Sequence, residues 1–483
     1  MAIHNCNPSK TVLLIAAVGG VSALVGTYWD DTWHTDRGRD TFLAPPHIVL
    51  YLSVLAATAA VAFLGRRPWG PAQRLALTGG AAVLVSAPLD EVWHRAFGRD
   101  AVAWSPPHMF AVLAALMLAT GVLAVAATVA GRWGRAAQLL GASTVIGVLQ
   151  VPVFEFDSDV PQFPEWTYLP VAVAGWLLAI EIVRRLLPGR RSLIVAAGVY
   201  TVIRVGVVGL LAALGHSATI VPPILVLAVL HEVAERVPLR RSLRLVGEAL
   251  GATLIWFLWL KAFGGAATAV SATNLPAALA LAGLAAAGVS VITHRGGWAR
   301  PAVLPAGAAL VVVTLSVGLV LAPDAGAHDP GQGRPTREAT LTVERVDAGS
   351  VVVELDVRSA SCGDLIARRI AARRAGTTNV GTLEVAGSCR YSGVIDAEAV
   401  GRWFIYVELT DGDRQVELWA PLAGGEATAR VLRPLYEPPE RPSSGLQVVG
   451  GVTLYAAILG MLVFTVRSSA HIGASGAGGK ARR

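Results

Sequence analysis

Residues 107–130 read PHMFAVLAALMLATGVLAVAATVA, 24 residues without a single Asp, Glu, Lys or Arg. About 20 apolar residues wound as a helix cross the ~30 Å hydrocarbon core of a bilayer, so this stretch predicts a membrane span. Working outward, comparable runs recur along the 483-residue chain, which is 54% hydrophobic and 15% charged. The spacing predicts about 12 spans, near 11–33, 46–64, 75–97, 107–130, 138–154, 166–187, 193–215, 219–236, 245–263, 275–293, 302–322 and 446–466. The first carries candidate ligands at its end and lacks a small-residue cleavage site, so it reads as a span and not a cleaved signal peptide.

The net charge of +7 does not point to nucleic acid, because the arginines sit in short connectors between apolar runs. Arg66, Arg67 and Arg74 form one connector, Arg132 and Arg135 the next, then Arg184, Arg185, Arg190 and Arg191. Arg236, Arg240, Arg241 and Arg244 follow, then Arg295 and Arg300. Each falls after every second span, which places these loops and both termini in the cytoplasm of a plasma (inner) membrane by the excess of Lys and Arg in inside loops. Residues 1–322 are thus expected to form a helical membrane domain and 467–483 a basic cytoplasmic tail after the last span, 446–466.

Residues 323–445 differ. Thr340–Val346, Ser350–Val357, Thr382–Val385, Trp403–Leu409 and Gln415–Leu418 are β-branched or alternate apolar with polar, and Asp411-Gly412 is a hairpin turn signal. An exterior Ig-like β-sandwich is expected, with Gly424–Ser444 as a linker. Cys362 and Cys389 fall in it, and an oxidising exterior favours their disulfide.

On the same outer side the chain repeats itself. Asp30-Asp31-Thr32-Trp33-His34 leads through Gly38-Arg39-Asp40 to Pro45-Pro46-His47; Asp90-Glu91-Val92-Trp93-His94 leads through Gly98-Arg99-Asp100 to Pro106-Pro107-His108. An Asp and a His at i and i+4 share a helix face, and proline suits the first turn of the next helix. Each hairpin can therefore bring a carboxylate and two imidazoles together. Asp30, His34, His47, Asp90, His94 and His108 are candidate metal ligands, a set that suits copper, zinc or non-haem iron. Arg39-Asp40 and Arg99-Asp100 are candidates for holding the connectors and orienting a ligand. Trp33 and Trp93 read as interfacial anchors.

Further candidates are His216 at the outer end of a span, Asp157 in an acidic loop standing where a third copy would fall, and His328 after Ala325-Gly326-Ala327, which resembles a signal-peptidase site. His231 and Glu235 share a face nearer the inside, and Arg204 with Glu248 predicts an intramembrane ion pair. Walker-type, GxGxxG and nucleophile-elbow motifs are missing where they would matter, which argues against ATP-driven transport and serine hydrolysis. Both copies of the repeat have the same orientation, unlike the inverted repeats of many transporters.

Asp30-x3-His34, Arg39-Asp40-Thr41 and Pro45-x-His47 resemble the copper-binding motif of the C subunit of particulate methane and ammonia monooxygenases. The resemblance covers residues 30–47, and residues 90–108 form an internal second copy with one extra connector residue. It implies copper at Asp30, His34 and His47, and by the repeat at Asp90, His94 and His108. It also implies oxygen activation for oxidation of a small apolar substrate. The family's additional downstream Asn and His ligands have no counterpart here, and the family carries one copy. The exterior domain is similar to YtkA/FixH-type domains through Gly401-Arg402-Trp403 and Glu417-Leu418-Trp419. The competing reading is copper acquisition, storage or transfer without oxygenase activity. Expected partners are the lipid bilayer, a second copy or other membrane subunits, and a periplasmic copper donor.

Overall fold

A computed structural model of the chain describes residues 10–37, 43–64, 68–97, 104–157, 165–189, 191–217, 220–263, 270–293, 334–359, 362–374, 377–399, 401–437 and 445–480. The helices are α1 Lys10–Arg37, α2 Pro45–Phe63, α3 Pro71–Phe97, α4 Pro106–Ala126, α5 Gly131–Val148, the single turn α6 Phe154–Asp157 and α7 Tyr168–Leu186. They continue as α8 Ser192–Ala213, α9 Ile224–Ala234, α10 Arg241–Phe263, α11 Leu275–Thr293 and α12 Gly445–Lys480. Among the described residues nine are long and apolar enough to cross a membrane: α1–α5, α8, α10, α11 and α12.

Three differences from the hydropathy reading have local causes. Expected span 219–236 contains only the 11-residue α9, about 16 Å long, because Pro222-Pro223 precedes it. Trp259 Nε1 donates to the Val221 carbonyl at 2.8 Å, satisfying one group of that extended stretch. Expected span 166–187 forms α7, whose last turns carry Glu181, Arg184 and Arg185 and so fall short of a fully apolar span. The expected tail 467–483 is helical through Lys480 as a continuation of α12. Expected span 302–322 lies outside the described residues.

The first four helices form two antiparallel hairpins that pack alike. A Cβ on Gly19 of α1 would stand 3.0 Å from the Ala57 Cβ and the Ser53 carbonyl oxygen on α2. A Cβ on Gly79 of α3 would stand 2.4 Å from the Leu118 nitrogen and 2.7 Å from the Ala114 oxygen on α4. The glycines are 60 residues apart and their contact pairs 61 apart, the same offsets that relate the Asp/His motifs. Small residues let helix backbones approach closely in lipid, where dispersion and not the hydrophobic effect drives packing. The duplication thus includes the helix crossing itself. Tyr28, Trp176, Trp256 and Tyr200 fill the bundle's core, with Tyr28 and Tyr200 hydroxyls 3.0 Å apart.

The β domain comprises β1 Arg334–Arg345, β2 Ser350–Val357, β3 Leu365–Arg374, β4 Thr377–Gly381, β5 Glu384–Gly387, β6 Arg390–Asp396, β7 Arg402–Asp411, β8 Arg414–Ala423 and β9 Thr428–Glu437. They make one antiparallel sheet in the order β4-β3-β7-β8-β9-β1-β2-β6-β5. The sheet curls until its two ends approach. Asn379 Nδ2 of β4 donates to the Asp396 carbonyl of β6 at 2.8 Å, and the Tyr391 hydroxyl of β6 donates to the Leu365 carbonyl of β3 at 3.0 Å. The expected disulfide is present: Cys362 bonds Cys389, with Cα atoms 5.4 Å apart. Asp411-Gly412 turns β7 into β8, and Gly412 has φ +64°, which glycine adopts without penalty. Leu341, Val353, Ile405, Val407 and Leu418 fill the interior.

The expected linker 424–444 is corrected in part, because Thr428–Glu437 is strand β9, paired along β1. β3 was not foreseen. Its arginines look solvated in sequence, yet Arg369 clasps the buried Glu408 of β7 through Nε at 2.7 Å and Nη2 at 3.0 Å.

Candidate metal centre

Each motif straddles a helix end and a helix start. α1 and α3 run past Asp30 and Asp90 to Arg37 and Phe97, while α2 and α4 open on Pro45-Pro46 and Pro106-Pro107. Proline lacks the amide that a first turn leaves unbonded, so these pairs start a helix without cost. In the second copy Ser105 also caps α4, its hydroxyl accepting from the His108 amide at 3.4 Å; Ala44 has no such group. His47 and His108 therefore emerge from the third residue of their helices and turn back on the preceding one.

The result is the same in both copies. His47 Nε2 lies 3.0 Å from Asp30 Oδ1, and His108 Nε2 lies 3.2 Å from Asp90 Oδ1. All four side chains are 20% to 28% exposed, so they are reachable yet largely sheltered. The separation is that of an ordinary carboxylate–imidazole hydrogen bond. It is also the separation of two ligands at right angles on one ion, about 3 Å for bonds of about 2.1 Å. His34 and His94 occupy the helical positions one turn beyond each Asp; their side chains lie outside the described part, as do Arg39, Asp40, Arg99 and Asp100.

No protein-family model, curated protein or solved structure matches the chain. The site therefore stands on its own residues.

The surroundings of the two copies differ. Beside the first, Asp36 ties three segments together. Its Oδ2 lies 3.2 Å from His216 Nδ1 and accepts from the Ser217 amide at 2.8 Å, and its Oδ1 accepts from the Ser217 hydroxyl. Its backbone carbonyl accepts from Arg433 Nη2 of β9 at 2.7 Å. Arg433 stacks 4.5 Å over Trp419, and burial pushes its guanidinium below the usual pKa. His216 is thus drawn to the first hairpin through Asp36, six residues past Asp30, and its ring lies 6.0 Å from that of Trp33. Asp36 was missed in the sequence because the repeat places Ala96 at the equivalent position.

Beside the second copy stands α12. A Cβ on Gly450 would meet the Trp93 ring at 3.2 Å, and one on Gly451 would meet Pro106 at 3.7 Å. The Tyr455 hydroxyl donates to the Trp104 carbonyl, and Trp104 Nε1 donates to the Pro152 carbonyl at 2.8 Å. Trp93 is buried beneath α12 and is not an interfacial anchor, which corrects the expectation for that residue.

Asp36→Ala removes the partner of His216 and Ser217 at once. Charged hydrogen bonds contribute about 1.5–3 kcal/mol each. A fall of several degrees in the melting temperature of the purified protein is expected, and an unchanged melting curve would show that this junction does not hold the bundle together.

Of the other candidates, Asp157 ends the turn α6 with its side chain outside the described part, and His328 lies outside the described residues. The expected Arg204–Glu248 ion pair is not formed. Arg204 lies 3.9 Å over the Tyr28 ring, while Glu248 Oε2 lies 2.9 Å from His231 Nδ1.

Proposed function

We propose that this chain is a membrane copper-binding protein with two equivalent sites, Asp30/His34/His47 and Asp90/His94/His108. The observation that carries the reading is the carboxylate–imidazole pairing found twice, at 3.0 and 3.2 Å, in hairpins whose helix crossings also repeat. The donor set fits copper, with zinc and iron as alternatives. We read the motifs as lying on the outer face of the plasma membrane, with the β domain on the same side and both termini inside. Arg39, Asp40, Arg99 and Asp100 would orient the ligands. His216, Asp157 and His328 are additional candidates.

When bound, copper at such a site supplies oxygen activation, and the resemblance to the monooxygenase C subunit extends the reading to oxidation of a small apolar substrate arriving from the bilayer. In that reading the chain's own Asp30–His47 and Asp90–His108 pairs supply ligands, and α12 packs on Trp93 and Pro106 of the second hairpin. A second reading is acquisition, storage or transfer of copper received from a periplasmic donor. It is favoured by the contact of Arg433 in the β domain with the end of α1, beside the first site.

The test is copper stoichiometry by elemental analysis and electron paramagnetic resonance on the purified protein, with His34→Ala and His94→Ala. Each variant is expected to lose its copper, and affinity should fall at acid pH as ligands protonate. Full copper retention in both variants overturns the assignment. Oxygen-dependent turnover of small hydrocarbons or ammonia separates the monooxygenase reading from the carrier reading.

A further inference from the structure

A second cluster lies at the other end of the bundle. α9 begins after the His216 segment and ends at Ala234, so its last turn faces away from the motifs, beside the start of α10 and the end of α7. His231 on α9, Glu235 one turn on and Glu248 on α10 offer ligand atoms that all lie within 4.8 Å of one another. His231 and Glu248 are almost wholly buried, at 5% and 4% exposure.

Two atoms of this cluster are left without hydrogen bonds among the described residues: His231 Nε2 and Glu248 Oε1, both buried. Buried polar atoms are rarely left so, and burying a carboxylate is costly unless a cation compensates it. The nearest fixed cation to Glu248 Oε1 is Arg244 Nε, at 3.8 Å, too far for a hydrogen bond. Arg244 Nη2 instead binds Glu235 at 2.7 Å, and Arg184 lies 3.1 Å from Glu232 and 3.7 Å from Glu235. α9 ends at Ala234, beside this cluster, and its last carbonyls add negative potential where these side chains meet.

We propose that His231, Glu235 and Glu248 form a divalent metal site, distinct from the hairpin sites. One imidazole and two carboxylates suit a borderline ion such as zinc. Ligands of a tetrahedral ion at about 2.1 Å stand about 3.4 Å apart, so ligand atoms as far apart as 4.8 Å need to close by about 1.4 Å at most. Glu235 has two oxygens and can share them between the ion and Arg244. The arginines are then resident counter-ions against which the metal competes, and this sets the site apart from a plain ion-pair network. In such a network Arg244 is a supporting member; in a metal site it is an antagonist.

The experiment uses the full-length protein purified in detergent and carrying Asp30→Asn and Asp90→Asn, with zinc ion as the probe in equilibrium dialysis. One zinc per chain is expected in this background. His231→Gln keeps a hydrogen-bond donor for Glu248 and should weaken zinc binding at least about tenfold, while Arg244→Gln should tighten it by about tenfold. Zinc should raise the melting temperature of the parent and not that of the His231→Gln protein. The proposal is overturned if zinc binding is unchanged by His231→Gln, the outcome expected when His231 and Glu248 share only a proton, or if Arg244→Gln weakens it. Failure of the hairpin sites would show separately, as no metal lost on introducing Asp30→Asn and Asp90→Asn.

Discussion

Gly79→Val is expected to destabilise the helical bundle by about 3 kcal/mol, the upper end of the usual range for overpacking. A Cβ at that position would stand 2.4 Å from the Leu118 nitrogen and 2.7 Å from the Ala114 carbonyl oxygen, both backbone atoms of α4. A flexible side chain could swing away; a helix backbone moves only as a body. α3 and α4 must then separate along their contact, and the Asp90–His108 pair spans those same two helices. The variant should therefore melt several degrees lower and, on the proposed copper-binding reading, hold less metal at the second site. Gly206→Val is the control: it lies on α8 with nothing within 4 Å of an added Cβ and should change stability by less than about 0.5 kcal/mol. Equal melting of the two variants would refute the close approach of α3 and α4.

Removing the disulfide with Cys362→Ser and Cys389→Ser should cost the β domain about 3.5 kcal/mol. The cysteines are 27 residues apart, and closing a loop of that length removes about 12 cal/mol/K of chain entropy from the unfolded state. The bond also sits where the fold most needs it. Cys362 precedes β3, near one end of the sheet order, and Cys389 joins β5 to β6 at the other. Besides the disulfide, the Asn379–Asp396 and Tyr391–Leu365 hydrogen bonds join those ends, each contributing about 1 kcal/mol. Tryptophan fluorescence melts of the oxidised protein and the double variant measure the difference. Identical melts would mean that the curled sheet closes without its covalent tie.

The membrane part was largely legible because apolar length is a direct signature of a span, and the hairpin pairing was legible because helix periodicity and helix-starting prolines act locally. The Asp30–His47 and Asp90–His108 contacts needed nothing more. What escaped the sequence reading depends on three-dimensional neighbours. Gly19 and Gly79 stand in the same 60-residue register as the motifs, yet a glycine in an apolar helix signals nothing until its partner helix is known. β9 lies in a segment whose composition signals a linker, because Pro434 and the prolines just beyond the strand stand out, although Thr428–Glu437 pairs along β1. Arg204 and Glu248 were matched by opposite charge alone; Arg204 found an aromatic face and Glu248 an imidazole, because those groups lie on the adjoining helices.

The seat of α12 against Trp93 and Pro106 has a consequence for how the protein is made. A ribosome adds about 5–20 residues each second, and Trp93 and Gly450 are 357 residues apart in the chain. The second hairpin therefore waits roughly 20–70 s after its own emergence for the helix that covers it. Arg433 reaches the end of α1 after a similar delay. Through that interval the second hairpin stands without α12 and the first without Arg433, so the timing of translation decides when each hairpin gains its late-made neighbour.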